Sequence, residues 1–385
     1  MKRELNDLLG VIAVLVLLLL AGNAMSAPAA EEAPLKVRGT AGVLGDLDSG
    51  RILYTQDADV KLSPASLTKV MTLYLIYEAL SAGTIQMDTE VLVSENAWRT
   101  GGSKTFVKVG DKVRVEDLVR GIAIQSGNDA CIAMAEHLNG SETGFVAQMN
   151  ARATELGMSN THFTNSTGLP DPEHYTTARD LFLLASALLR KFPQYSHFSQ
   201  EKQFTYNNIK QQNRNNLLWR DPIITGLKTG HTKEAGYCLI ATSDKDGQRL
   251  GAVVMGATQR KHREDDALRL IHYGNRMYET VKFFEAKAVV RKLRVWKGEQ
   301  REVDGIVKDP LVITVLRKER GSLEVGVSFT DPLIAPISAA QEIGTVVVKS
   351  GGKELFTRPL VAGHDVARGN LLRVMFDSVR MAVGW

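Results

Sequence analysis

Apolar residues occupy nearly every side of the stretch between Pro64 and Gly83, where Leu67, Val70, Met71, Leu73, Tyr74, Leu75 and Ile76 surround a helix. A helix apolar all round belongs in the middle of a domain. Ser63 is a good N-cap, Pro64 suits the first helical position, and Gly83 can close the far end. Helical periodicity returns over residues 116–124 and resumes over 129–135, with Ser126-Gly127-Asn128 as a short break between the two. The pattern then shortens to strands. Apolar runs at 223–227, 237–241 and 250–255, the last two separated by the turn at 244–247, predict an antiparallel meander. Beyond Glu285 only short alternating segments remain, at 289–295, 311–315 and 323–327, then a hairpin of 345–349 and 354–357 around Gly351-Gly352. They predict a small all-β domain, a sandwich. From Asn370 to Trp385 the chain sorts into two helical faces. Leu371, Leu372, Met375, Phe376, Val379, Ala382 and Val383 form one, and Asn370, Arg373, Asp377, Arg380 and Gly384 the other. Such a helix is too short and too charged to span a bilayer, and it suits a membrane surface, with Trp385 at the interface.

These patterns predict an α+β first domain, helices around an antiparallel sheet, followed by the β-domain and the amphipathic helix. Met1-Lys2-Arg3, the apolar run 8–21 and the small residues Ala24, Ser26 and Ala27 read as a secretory signal peptide, with an uncleaved N-terminal anchor as the alternative because Glu4 and Asp7 weaken the positive start. The expected organisation is a signal peptide (1–27), a linker (28–36), the first domain (37–285), the β-domain (286–363) and a terminal membrane-anchoring helix (364–385). The formal net charge of +4 is mild, and no basic stripe interleaves with aromatics, which argues against nucleic acid as a partner. The two cysteines, Cys131 and Cys238, sit in apolar contexts and read as buried thiols. The eight histidines show no metal-ligand spacing and there is no phosphate-cradling loop, so no metal or cofactor is expected.

Candidate chemistry lies in three short motifs. Ser66-Leu67-Thr68-Lys69 puts a hydroxyl and an amine on one helical face near a helix N-terminus, where partial positive charge favours an alkoxide-like serine. Free lysine titrates near pH ~10.4, so a base working near neutrality needs a drop of about 3 pH units, roughly 4 kcal/mol. Burial and a second cation supply such a drop, and Lys228 is the candidate cation. Ser126-Gly127-Asn128 points two polar side chains into a cleft, with Gly127 expected to make the sharp turn. Ser126 is placed to relay a proton to the leaving group, and Asn128 to bond a substrate amide or to hold Lys69. Lys228-Thr229-Gly230 ends the apolar run of an edge strand, where a peptide can lie alongside. There Lys228 and Thr229 meet a terminal carboxylate, and one strand N–H joins that of Ser66 in an oxyanion hole. Taken singly, each motif is ordinary surface or turn chemistry. Together, in this order, they describe serine acyl transfer.

With these motifs in place, the chain resembles the D-alanyl-D-alanine carboxypeptidases, the low-molecular-mass penicillin-binding proteins. Residues 64–72, 176–181, 213–219 and 226–232, then Ala235-Gly236-Tyr237, are similar to segments of that family. The resemblance implies the penicillin-binding, β-lactamase-like fold and removal of the terminal D-alanine from peptidoglycan pentapeptide stems, with cell-wall biogenesis and shape maintenance as the setting. It implies Ser66 as the acylated serine, Lys69 as base, and Ser126 and Lys228 as helpers. Gly127, Asn128, Thr229, Gly230 and His231 would line the substrate site, and Arg260 or Arg263 would help hold the carboxylate. β-Lactams would be covalent inhibitors. The implied location is the periplasmic face of the bacterial inner membrane, held peripherally on anionic lipid. A DD-endopeptidase or β-lactamase-like hydrolase on the same scaffold is the alternative. No glutamate with a class A deacylating spacing follows Asn128, so slow hydrolysis of a penicilloyl enzyme is expected. A non-catalytic, membrane-tethered wall-binding protein is the remaining reading, and a buried lysine argues against it.

Overall fold

The structure is a computed structural model that describes residues 35–383; the expected signal peptide and Trp385 lie outside the described residues. From Val37 onward the chain forms one compact unit. Its first half is built on a five-stranded antiparallel sheet. The spatial order is Ile52–Gln56, Ala41–Asp46, Gln248–Ala257, Gly236–Lys245 and Ile224–Thr232. The last three strands are the expected meander, and Ile224–Thr232 is an edge strand, with Lys228 opposite Ile240 and Thr229 opposite Leu239. One expectation fails here. Lys228-Thr229-Gly230 does not terminate the strand but lies inside it, because the pairing continues through His231 and Thr232 to the turn before Gly236.

The helix Lys69–Ser81 has every residue from Lys69 to Tyr77 buried, as an all-round apolar surface requires. It packs among the helices Asn128–Asn139, Glu142–Glu155 and Ala178–Lys191. Gly83, at φ +74°, closes it, with Gly83 N–H donating to Leu80 O and Thr84 N–H to Ala79 O. Its start differs from expectation. Ser63 does not cap it, and Ser66 lies not in the α-helix but in a 3₁₀ turn, Ala65–Thr68, ahead of it. The tighter turn still presents Ser66 and Lys69 together, because side chains at i and i+3 eclipse in a 3₁₀ helix. The helix Val115–Arg120 runs into a π-turn, Gly121–Gln125, and then into the break at Ser126-Gly127.

The β-rich half begins by strand pairing at Tyr278, where Tyr278–Phe284 joins Leu311–Leu316 in a two-stranded sheet. A six-stranded sheet accompanies it, and the two share one core that includes Leu293, Val303, Ile313, Val346 and Leu360. At the junction with the first half, Thr280 donates to the buried Asp46 carboxylate at 2.5 Å and Ser49 meets Thr314 at 2.7 Å. The final helix, Leu371–Ala382, turns its polar face inward. Asp377 is 2 % exposed, accepts the Lys297 N–H at 2.7 Å and forms an ion pair with Arg373, whose Nε lies 3.2 Å from its carboxylate. Arg373 is therefore engaged within the protein rather than presented to headgroups. The apolar face points outward, with Leu371 and Leu372 each 78 % exposed.

Candidate active site

The three motifs converge. Lys69 Nζ donates to Ser66 Oγ at 3.0 Å and to Thr167 O at 2.5 Å, and Lys228 Nζ donates to Ser126 Oγ at 2.9 Å and to Thr229 O at 3.0 Å. Ser66, Ser126, Thr229, Gly230 and His231 line one cleft of about 680 Å³, and both lysines are buried beside it. Each position has a local cause. Thr68 Oγ1 donates to Ala65 O at 2.8 Å and accepts from His174 Nε2, also at 2.8 Å, which braces the nucleophile turn. His174 Nδ1 accepts the Thr164 N–H at 3.1 Å, so the neutral ring carries its proton on Nε2. Gly168, at φ +82°, packs so tightly on this turn that a Cβ there would sit 1.8 Å from Ala65 O.

The break at the second motif is made differently from the expectation. Ser126 itself takes the left-handed conformation, φ +68°, while Gly127 has an ordinary φ of −62°. Glycine is required at 127 for space, since a Cβ would lie 2.0 Å from Thr105 Oγ1. Asn128 is buried and its amide donates to Gly101 O at 2.7 Å, so it ties down a wall of the cleft, and Lys69 is held by Thr167 instead. Asp129, which the sequence reading passed over, gathers the N–H groups of Thr105, Phe106 and Val107 at 2.8, 2.9 and 3.3 Å. A carboxylate at the start of Asn128–Asn139 is an N-terminal anchor, and no spacing rule connects it with a loop more than 20 residues upstream.

Burial pushes the Lys69 amine down to about 8, with Arg214 adding in the same direction and Asp129 opposing. Lys228 is pushed well below the ordinary lysine range, first by burial, then by Lys69 and Arg214. The depressing cation expected for Lys69 was Lys228. That repulsion is present and mutual, since each buried ammonium disfavours charge on the other, and burial is the larger cause for both. Arg214 is the further cation, and the sequence reading missed its role. It lines the cleft and donates Nε to Gln125 O at 2.8 Å. The only sequence signal for it was its place in the family-like segment 213–219.

Both candidate arginines line the cleft. Arg263 is buried and donates Nη1 to Gly230 O at 2.7 Å and Cys238 O at 3.0 Å, whereas Arg260 is exposed and 3.7 Å from Glu264. Tyr237 stacks on His231 with ring centroids 4.0 Å apart. Cys131 and Cys238 are free and buried, their thiols raised by burial to about 12 and about 11, so both stay neutral. The arrangement supplies an activated hydroxyl, a second hydroxyl on a second amine, and cations around a cleft that no Asp or Glu lines among the described residues. That is an acyl-transfer site suited to an anionic substrate.

The description of the D-alanyl-D-alanine carboxypeptidase family matches residues 27–259, and that of the penicillin-binding protein 5 C-terminal domain matches 278–368. The D-alanyl-D-alanine carboxypeptidase DacC of Escherichia coli K12 is 39% identical over 373 residues, 95% of this chain and 93% of that protein. The crystal structure of penicillin-binding protein 5 from Haemophilus influenzae superposes with a TM-score of 0.80 at 37% identity, covering 87% of this chain and 99% of that one. Penicillin-binding protein D2 of Listeria monocytogenes in its ampicillin-bound form matches at TM-score 0.58 and 30% identity, over 63% of this chain and all (100%) of the other.

Proposed function

The chain belongs to the D-alanyl-D-alanine carboxypeptidase family, and from that premise we propose how its residues remove the terminal D-alanine of peptidoglycan pentapeptide stems. It is a serine-type peptidase of cell-wall biogenesis, and β-lactams acylate the same serine. Neutral Lys69 takes the Ser66 proton as Oγ attacks the carbonyl between the two D-alanines. The N–H of Ser66 and an N–H of the edge strand receive the developing oxyanion. Lys228 and Thr229, with Arg214 close by, receive the terminal carboxylate. Ser126 passes a proton to the departing amine and takes one back from Lys228, the C–N bond breaks and D-alanine leaves. Water then attacks the ester on Ser66 and gives a proton back to Lys228 through Ser126, while Lys69 returns its proton to Ser66 Oγ and the shortened stem is released. The 3.0 Å contact between Ser66 and a buried lysine carries this reading.

Among the described residues no carboxylate lines the cleft to activate water, which supports slow hydrolysis once a penicillin has acylated Ser66 and disfavours a β-lactamase. Two measurements test the function. Labelling with a fluorescent penicillin, expected to give one long-lived adduct that S66A lacks, reports the nucleophile. Release of D-alanine from a pentapeptide reports the reaction, and an enzyme that turns penicillin over rapidly without releasing D-alanine defeats the proposal.

Export and peripheral attachment to the periplasmic face of the inner membrane complete the reading. The signal-like residues 1–27 and the outward apolar face of Leu371–Ala382 support it. Among the described residues no helix is long and apolar enough to cross a membrane. The inward tie of Asp377 leaves that apolar face available to anionic lipid.

A further inference from the structure

The cleft continues past its own walls. Phe106 and Ile209, which line it, also line an adjoining cavity of about 660 Å³ whose other walls include Trp98, Lys104, Lys108 and Asn207. Two segments build the junction. One is the loop whose N–H groups converge on Asp129. The other is the hairpin of Gln203–Tyr206 and Ile209–Gln212, whose turn residues Asn207 and Asn208 have φ of +52° and +61°. Asn207 Nδ2 donates to Phe106 O at 3.2 Å, which ties hairpin to loop. Phe106 and Ile209, where the two spaces meet, nevertheless stay 43 % and 39 % exposed, and Trp98 in the adjoining cavity 42 %.

Charge points the same way. Among the described residues no Asp or Glu lines either space. Lys210, Arg214, Arg260 and Arg263 line the cleft, and Arg99, Lys104 and Lys108 line the adjoining cavity. The formal net charge of the chain is only +4, so this concentration is local. A single terminal carboxylate occupies the cations beside Ser66 and leaves the second group without a ligand. Within that group Arg99 is paired with Glu95 at 2.6 Å, and Lys104 Nζ donates to Trp98 O and lies 5.9 Å from the Trp98 ring centre. Lys108 has no charged partner among the described residues.

We propose that this adjoining cavity is a subsite for a second carboxylate-bearing part of the peptidoglycan peptide. Lys104 and Lys108 receive the carboxylate, and Trp98 and Ile209 the aliphatic chain that carries it. This rests on the carboxypeptidase reading and extends it. The carboxylate has two sources: residues upstream in the stem being trimmed, or a second stem cross-linked to it.

The test measures kcat/KM of the full chain on a monomeric pentapeptide and on a cross-linked dimer, each with internal carboxylates free or amidated. Rates are normalised to serine sites titrated with fluorescent penicillin. The wild type is expected to prefer the free acid by about three- to tenfold, less at high salt, and in K104E/K108E the preference falls to near one. K108E alone serves if the double variant titrates poorly. A preference seen with the monomer assigns the subsite to the same stem, and one seen only with the dimer assigns it to the second stem. Equal turnover of acid and amide by the wild type, or a preference that survives charge reversal, overturns the subsite and leaves the carboxypeptidase standing. Failure of a penicillin-titratable enzyme to release D-alanine from any probe overturns the parent reading and this one together.

Discussion

Lys69 is where sequence and chemistry meet most directly. Its side chain is fully buried, and its amine is held near pH 8 by burial first and Arg214 next. A base must be neutral, so the rate of penicillin acylation should rise roughly tenfold per pH unit below about 8 and level off above it. Lys69→Met should abolish acylation across the range. Arg214→Gln removes a cation that favours the neutral amine, so it should move the limb to higher pH; a limb that stays put or moves down counts against the assignment. His174 gives a second titration with a different readout. Burial lowers its imidazole from 6.5 to about 4, so between those values the unfolded chain binds a proton that the folded chain refuses. Stability from this group is therefore complete above pH 6.5 and drains away as pH falls toward 4, by on the order of 3 kcal/mol at most. His174→Gln should flatten the melting temperature between pH 7 and pH 4, and an unchanged slope would remove His174 as its source.

Elements place these residues through close backbone approach more than through long side-chain reach. Gly168 leaves no room above Ala65, one residue before the nucleophile. Gly168→Ala adds both a clash with backbone and a strained φ of +82°, and should cost roughly 2 kcal/mol or more of stability. Thermal melts and acylation rates check it together: the variant should acylate more slowly even at temperatures where it stays folded. The helix around Lys69 was legible because its apolar residues leave no polar face, and the meander because its runs alternate with turns. The 3₁₀ turn under Ser66 was not legible. A cap-like Ser63 followed by Pro64 fits an α-helical start equally well, and only packing against Gly168 and the edge strand selects the tighter turn. Ser126 in the left-handed region was likewise hidden, because a neighbouring glycine is the usual carrier of such a turn.

Across the whole molecule, the site and the terminal helix are separate devices on one chain. The β-rich half joins the catalytic half through Asp46, Ser49, Thr280 and Thr314, away from Ser66, and carries the helix Leu371–Ala382. Leu371, Leu372, Met375, Phe376 and Val379 are all more than half exposed there. Each such side chain gains about 1.5–3 kcal/mol if fully buried, so a few of them inserted into lipid suffice for peripheral attachment. Deleting residues 364–385 should abolish co-sedimentation with anionic vesicles while penicillin acylation continues at its usual rate. A truncated protein that still sediments would place the contact elsewhere.

The chain by itself determined the element types, the three motifs and the two-faced terminal helix, because periodicity and short spacings act over one or two turns. The tertiary structure decided that Arg214 stands close enough to depress both lysines, which carboxylate anchors the wall at Thr105, and which face of the last helix looks out. Those depend on distances between segments far apart in the chain: the Lys228 and Ser126 atoms that meet at 2.9 Å are separated by 102 positions. Electrostatic and steric effects follow separation in space, and no local pattern of residues encodes that separation.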